Sequence, residues 1–142
     1  MLRGVFTPAS PYRRLALVLA VLWTIGIFLA CLWPGDELPK SDIPLIDKWT
    51  HFVLFGAFAF LWLCAYPSGR MTTFIWIILI TIGLGWLVEC LQGWLPQLKR
   101  SKDYMDAVAD GVGGMLGALV FWIGTRFLTG STGERPSGGA RR

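Results

Sequence analysis

Residues 71–95 read MTTFIWIILITIGLGWLVECLQGWL, and Glu89 is the only charged side chain among them. A helix needs about 20 apolar residues to cross the hydrocarbon core of a bilayer, and this stretch exceeds that length. A chain of 142 residues is too small to hide such a segment inside a soluble core. The stretch therefore predicts a transmembrane helix, which Pro96 ends.

Three other stretches of the chain are also apolar and long enough to span a bilayer. They occupy residues 15–33, 49–66 and 106–128. Together with residues 71–95 they predict an all-α, integral membrane four-helix bundle in a single domain, residues 15–128. The composition agrees, because 15% of the residues are charged, against about 25% in soluble domains.

The two ends of the chain are basic. Residues 1–14 resemble the start of a signal peptide, but the apolar run after them is longer than a typical h-region and no A-x-A site follows. An uncleaved helix is therefore predicted. Residues 129–142 are rich in Gly, Ser, Pro and Arg and are expected to form a disordered basic tail. The cations form no compact basic domain, so no nucleic-acid partner is predicted.

The distribution of Lys and Arg predicts the orientation. With both termini in the cytoplasm, the cytoplasmic segments hold eight of these side chains and the outer segments five. Positive charge favours the cytoplasmic side, so we expect a multi-pass protein of the inner (cytoplasmic) membrane with both termini inside. Trp33, Trp49 and Trp94 then fall at outer helix ends, where aromatic side chains anchor helices at the interface.

Polar side chains in helices 2 and 3 lie near the predicted outer side. Asp47 and His51 are four residues apart and share one face of helix 2. Glu89 and Gln92 are three apart and share one face of helix 3. A charge in hydrocarbon costs about 2.5–3.5 kcal/mol, so such residues need partners, protonation or a wet cavity.

The start of helix 4 carries a single stripe of polar and small residues. Asp106, Asp110, Gly113 and Gly117 follow helical spacing along one face. The spacing Gly113-x-x-x-Gly117 allows a neighbouring helix to approach closely, so this face is expected to contact protein and not lipid. The two carboxylates should therefore join the polar side chains of helices 2 and 3 in one outward-facing pocket, with helix 1 mainly a lipid-facing anchor.

Two segments of the sequence resemble known motifs of one family. Residues 47–55, DKWTHFVLF, resemble the D-K-x-x-H-F-x-x-F opening of VanZ-like membrane proteins. Glu89, Gln92 and Pro96 resemble the E-x-x-Q-x-x-x-P block of the same family. The resemblance covers about residues 45–125.

A third block of the family, R-x5-D-x3-N-x2-G, maps onto Arg100, Asp106, Asp110 and Gly113. Here the usual asparagine is replaced by Asp110, which adds a carboxylate. The loop before Arg100 is also longer than usual by about two residues, by comparison with the family pattern. The resemblance implies a cell-envelope protein, since the family takes its name from a protein linked to low-level teicoplanin resistance. Most relatives occur without that resistance cluster, so the name does not define the task.

The first functional hypothesis is a site for an anionic lipid or a lipid-linked envelope intermediate. Membrane lipids would be the partners, with Lys99, Arg100 and Lys102 engaging phosphate at the interface. The residues expected to bind the ligand are Asp47, Lys48, Gln92, Arg100 and Asp110.

The second hypothesis is a membrane-embedded hydrolase or transferase, and the sequence does not decide whether the protein is an enzyme. His51 would act as a general base oriented by Asp47, and Glu89 or Asp106 would act as the acid. No cofactor or metal is predicted, because there is one His and no HExxH spacing. His51 and the carboxylates of Glu89, Asp106 and Asp110 are nevertheless chemically able to ligate zinc.

A third hypothesis assigns these residues a purely structural role. The pairs Asp47–Lys48, His51–Glu89 and Arg100–Asp106 would then connect the helices of the bundle. Burial shifts the pKa values of ionisable groups without implying catalysis, so the sequence leaves this alternative open.

Overall fold

The structure, a computed structural model, describes residues 10–37 and 42–129. Four α-helices follow one another in these ranges, and each is long and apolar enough to cross a membrane. They are α1 (Arg13–Cys31), α2 (Ile46–Ala65), α3 (Met71–Trp94) and α4 (Tyr104–Thr129). The all-α, four-helix membrane class is confirmed. Most of the predicted N-terminal segment and basic tail lies outside the described residues.

Three of the four helices begin two or three residues earlier than the hydropathy pattern predicts, whereas α3 begins at the predicted Met71. Helix α2 begins at Ile46 and not at Trp49, and its first turn includes Asp47. A carboxylate is favourable there because the helix dipole places partial positive charge at the N-terminus. Helix α4 begins at Tyr104 because the residue before it, Asp103, accepts a hydrogen bond at Oδ1 from the backbone N–H of Met105 (2.8 Å).

Helices α2 and α4 run parallel and form the closest contact in the bundle. A Cβ added to Gly113 would collide with the backbone carbonyl of Phe52, and one added to Gly117 with that of Gly56. A Cβ on Gly56 would in turn lie 3.1 Å from the carbonyl oxygen of Gly113. The glycines therefore let the two backbones approach each other in a way that no larger residue permits.

Helix α1 packs mainly on α2 of this pair, and α3 packs on both α2 and α4. Helix α1 is tied to α2 by the indole N–H of Trp23, which donates to the carbonyl of Leu54 (2.8 Å). Helix α3 lies against α4 where Thr81 meets Gly114, at a distance that leaves no space for a Cβ on the glycine. Helix α2 contacts all three other helices and is the centre of the bundle.

The bundle has two distinct ends. At one end, which we call the site end, α1 ends at Cys31, α2 begins at Ile46, α3 ends at Trp94 and α4 begins at Tyr104. We call the opposite one the packed end, whose buried core includes Ala59, Leu63, Phe74, Ile77 and Phe121. Trp33, Trp49 and Trp94 are exposed at the site end, where side chains of this type anchor helices at a membrane interface.

Candidate functional site

Five polar side chains are almost fully buried at the site end, and they come from the three helices α2, α3 and α4. They are His51, Glu89, Gln92, Asp106 and Asp110. We call them the buried cluster. Buried ionisable groups in a membrane protein are costly unless they are paired, and they commonly mark functional positions.

The centre of the buried cluster is a pair formed by His51 and Asp110. Nδ1 of His51 lies 2.9 Å from Oδ1 of Asp110, and the two residues are 1% and 0% exposed. With Asp110 ionised, Nδ1 donates to it, because a carboxylate only accepts, and Nε2 is then the free nitrogen of the ring. Gly85 of α3 provides the space, because a Cβ there would lie 2.8 Å from that of Asp110.

Lys48 connects the start of α2 to the start of α4. Its Nζ donates to Oδ2 of Asp103 (2.6 Å) and to Oδ1 of Asp106 (3.1 Å). The hydrogen bond from Lys48 holds the pKa of Asp103 below its ordinary value. Asp103 was not among the predicted site residues, although an Asp directly before a helix is a recognised N-cap signal.

Glu89 links α3 to the same helix start. Its Oε2 accepts a hydrogen bond from the backbone N–H of Asp103 (2.8 Å). Within residues 10–37 and 42–129, three buried side-chain atoms have no hydrogen-bond partner: His51 Nε2, Glu89 Oε1 and Asp110 Oδ2. Buried polar atoms are nearly always satisfied in proteins, so unpartnered atoms concentrated in one cluster require a physical explanation.

Arg100 and Gln92 bring α1 into the site. The carbonyl of Cys31, the last residue of α1, accepts hydrogen bonds from Nε2 of Gln92 (2.8 Å) and Nη1 of Arg100 (3.1 Å). Helix ends leave carbonyls without intrahelical partners, and here side chains supply them. The prediction that helix 1 is mainly a lipid-facing anchor is therefore incomplete. Backbone carbonyls carry no side-chain signal by which the sequence could have shown this contact.

The three cations of the loop before α4 have different surroundings. Arg100 lies beside Asp47, with 3.5 Å between Nη2 and Oδ1. Lys99 forms an ion pair with Asp36, which raises the pKa of Lys99. Lys102 lies over the ring of Trp86, 4.1 Å from its centroid, in a cation–π contact.

Two cavities meet at the site end. A polar pocket of about 270 Å³ lies over the start of α4, and a groove of about 700 Å³ lies between α1 and α2. The pocket is lined by Gly35, Asp47, Gln92, Lys99, Arg100, Ser101, Asp103 and Asp106. The mainly apolar groove includes Gly26, Leu29, Ala30, Ile46, Thr50 and His51. Asp47 and Arg100 line both cavities, so the two cavities lie next to each other there.

The structure places all the predicted polar residues at the site end but changes their partners. His51 pairs with Asp110 and not with Glu89, and its ring is held by Asp110 and not by Asp47. Arg100 pairs with Asp47 and not with Asp106. These predicted pairings were wrong, because the partner of His51 depends on how α2, α3 and α4 are rotated against one another, and that of Arg100 on the path of the loop before α4. Lys48 likewise bonds to the start of α4 and not to the adjacent carboxylate of its own helix.

The fold and the buried cluster together define an α-helical, multi-pass membrane protein with an ionisable site at one end. The model of the VanZ/LLP1 family matches residues 12–125, which include parts of all four helices, and the chain belongs to this family. The resemblance seen in the sequence is thus confirmed. No curated protein and no solved structure matches the chain significantly.

Proposed function

We propose that the protein binds an anionic lipid or lipid-linked envelope intermediate at the site end. The phosphate of the ligand would lie in the polar pocket, and its acyl chain would lie in the groove between α1 and α2. The proposal rests on one observation above all: the polar pocket and the apolar groove are neighbours that share Asp47 and Arg100 in their linings. An amphiphile is the class of ligand that matches such a pair of neighbouring cavities.

The charges of the pocket favour an anionic head group. Arg100 is 14% exposed at its side chain, and its 3.5 Å contact with Asp47 is longer than a strong charge-assisted hydrogen bond. Its planar guanidinium can bind a phosphate through two parallel hydrogen bonds. Lys99 lines the same pocket and adds a second cation near the proposed phosphate.

The groove supports the acyl chain part of the proposal. Leu29 and Ile46 form part of its lining and are exposed on the surface of the bundle. In a bilayer such surface faces hydrocarbon, so an acyl chain can enter from the side without passing through water. Gly26 leaves open space on the α1 wall, because a Cβ added there meets nothing within 4 Å.

The membrane location follows from the same proposal. We place the site end on the outer face of the cytoplasmic membrane with both termini inside, because the Lys and Arg count favours this orientation. The namesake's link to low-level teicoplanin resistance supports a role at the cell envelope. A cysteine introduced at exposed Asp42 is expected to react with a membrane-impermeant thiol reagent in intact cells, whereas labelling only after lysis would contradict the orientation.

The binding proposal is tested on protein purified in a neutral detergent. We expect the wild type to retain phosphatidylglycerol at least tenfold better than phosphatidylcholine in mass spectra of the intact complex. Arg100→Ala should lose this preference, while Arg70→Ala, which removes an exposed arginine before α3, should keep it. Equal retention by Arg100→Ala and the wild type would contradict the proposal.

Two further measurements interpret that result. Competition by inorganic phosphate would assign the preference to the phosphate alone, whereas retention in its presence would show that the acyl groove contributes. Thermal unfolding of each variant separates binding from folding. An Arg100→Ala protein that unfolds at a much lower temperature, and binds normally when folded, would favour the purely structural role of the ion pairs.

A second candidate function, a membrane-embedded hydrolase or transferase, is favoured by the His51–Asp110 pair. A carboxylate that holds Nδ1 leaves Nε2 available as a general base, an arrangement that recurs in acid–base catalysis. Glu89 and Asp106 are the candidate acids. Under this proposal His51→Gln should still bind phosphatidylglycerol but should lose any turnover of a lipid substrate.

A further inference from the structure

We propose that Asp47, His51 and Asp106 form a binding site for a divalent transition-metal ion such as Zn²⁺. One ligand atom from each residue lies within 4.8 Å of the others, at the point where the polar pocket meets the groove. Two carboxylates and one imidazole are a ligand set that zinc accepts. The imidazole favours a transition metal over Mg²⁺ or Ca²⁺, which prefer oxygen ligands alone.

The orientation of the His51 ring is the first independent observation behind this site. Metal-bound histidines usually donate their second ring N–H to a carboxylate, which fixes the tautomer and the direction of the ring. Asp110 provides this contact at Nδ1, so Nε2 is the nitrogen able to bind a metal. That nitrogen has no hydrogen-bond partner within the described residues, and it belongs to a side chain that is only 1% exposed.

The balance of charge is the second observation. Lys48 pairs with Asp103 and Asp106, and Arg100 pairs with Asp47. Among the described residues no Lys or Arg forms an ion pair with the buried carboxyl groups of Glu89 and Asp110. Lys48 bonds to Oδ1 of Asp106, so Oδ2 remains for a metal. A divalent cation would reduce the excess of negative charge where burial makes that excess costly.

The geometry requires a modest closure. Zinc bonds to nitrogen and oxygen at about 2.0–2.2 Å, so neighbouring ligand atoms of a tetrahedral site lie about 3.4 Å apart. The three groups would therefore move together by no more than about 1.5 Å. Asp47 can provide this movement, because its side chain is 51% exposed at the start of α2. Three protein ligands would leave one of the four positions of a tetrahedral zinc site open.

The test uses the metal alone, without added lipid. Wild-type protein in neutral detergent is stripped with a chelator, titrated with ZnCl₂, MnCl₂ or MgCl₂, desalted and analysed for bound metal. We expect one Zn²⁺ or Mn²⁺ per chain and at least tenfold weaker Mg²⁺ binding. Asp47→Asn should weaken Zn²⁺ binding at least tenfold, and its exposed position keeps the fold intact. Asp42→Asn, an exposed carboxylate in the same connecting segment, is the matched control and should bind like the wild type.

The result distinguishes this site from the lipid site, because the lipid test uses Arg100→Ala and no metal. Less than one Zn²⁺ per wild-type chain would overturn the metal proposal. So would Zn²⁺ binding that is unchanged in both Asp47→Asn and His51→Ala. If His51→Ala does not fold, Asp47→Asn against Asp42→Asn decides. A metal bound at Nε2 would also exclude the ring as a general base, so the same titration separates the two roles of His51.

Discussion

The two ends of the bundle differ in that one buries apolar side chains and the other also buries a cluster of ionisable ones. At the packed end Leu63 and Phe121 are fully buried among other apolar residues. At the site end His51, Glu89 and Asp110 are equally buried, beside an apolar cluster that includes Phe55 and Val88. Both sets lie in contacts between the same helices, so the difference does not come from the architecture.

This contrast separates the residues that stabilise the bundle from those that are expected to serve its function. Helices in a bilayer associate through close packing, and the packed end provides it without polar groups. Ionisable groups at the site end cost free energy to bury, and apolar residues of similar size would usually be at least as stable there. The site end is therefore expected to carry the function, and substitutions at the two ends should have different consequences.

The largest effect on stability is expected at the packed end. Phe121→Ala should lower the free energy of unfolding by about 3–5 kcal/mol, because it removes a buried ring packed against Phe74 and leaves a cavity. Unfolding by a denaturing detergent in mixed micelles measures this loss. Trp76→Ala, which truncates a side chain that is 65% exposed, is the control and should cost little. If folded Phe121→Ala protein loses lipid binding, the proposed separation of the two ends fails.

A smaller effect is expected where α2 and α4 touch. Gly113→Ala should destabilise the protein by about 2 kcal/mol, since the added methyl collides with the backbone of Phe52 and forces the helices apart. The same shift should lengthen the His51–Asp110 contact, so lipid binding should weaken together with stability. Gly83→Ala, where a Cβ meets nothing within 4 Å, should be neutral or slightly stabilising. Comparable results for the two glycines would disprove the close contact.

The smallest effect concerns acid pH at the site end. Lys48 lowers the pKa of Asp103 below its ordinary value of 3.8, so the ionised carboxylate stabilises the folded state at higher pH. This contribution is present above pH 3.8 and is lost as the pH falls through the lowered folded-state pKa. Asp103→Asn should therefore flatten the decline of the melting temperature at acid pH.

The acid experiment needs a second variant, because the pKa of Asp36 is also lowered and its carboxylate therefore also stabilises the folded state at higher pH. Its pKa is lowered by the hydrogen bond from Lys99, and Asp36→Asn should remove that separate part of the decline. Exposed Asp42→Asn serves as the control for loss of a carboxylate. A decline that is identical in the wild type and in Asp103→Asn would show that the Lys48 contact contributes nothing measurable.

The sequence predicted the architecture well because hydropathy and length are local signals. Each of the four apolar runs is as long as the hydrocarbon core of a bilayer is thick, which is enough to predict four helices. The spacing of Gly113 and Gly117 alone indicated a close contact between helices. The side on which the polar residues gather also followed, since each crossing of the membrane reverses the direction of the chain. These inferences require no knowledge of how one helix is rotated against another.

The partners inside the site could not be predicted for the same reason. Whether His51 meets Glu89 or Asp110 depends on the rotation and depth of α3 and α4, which many distant contacts set together. Asp103 was overlooked because its neighbours in the sequence are a polar loop, although it caps α4 and binds Lys48. The carbonyl of Cys31 is a backbone group that every residue possesses, so composition cannot single it out.

The parallel contact of α2 with α4 has a consequence for synthesis. During translation α2 is made two helices before α4. His51 therefore has no contact with Asp110 until α3 and α4 have been inserted. The face of α2 around Phe52 and Gly56, which Gly113 and Gly117 cover in the finished bundle, is also uncovered during this interval. The buried cluster is therefore completed only when the last helix has been made, and a chain truncated before α4 would keep the earlier helices but lack Asp106 and Asp110.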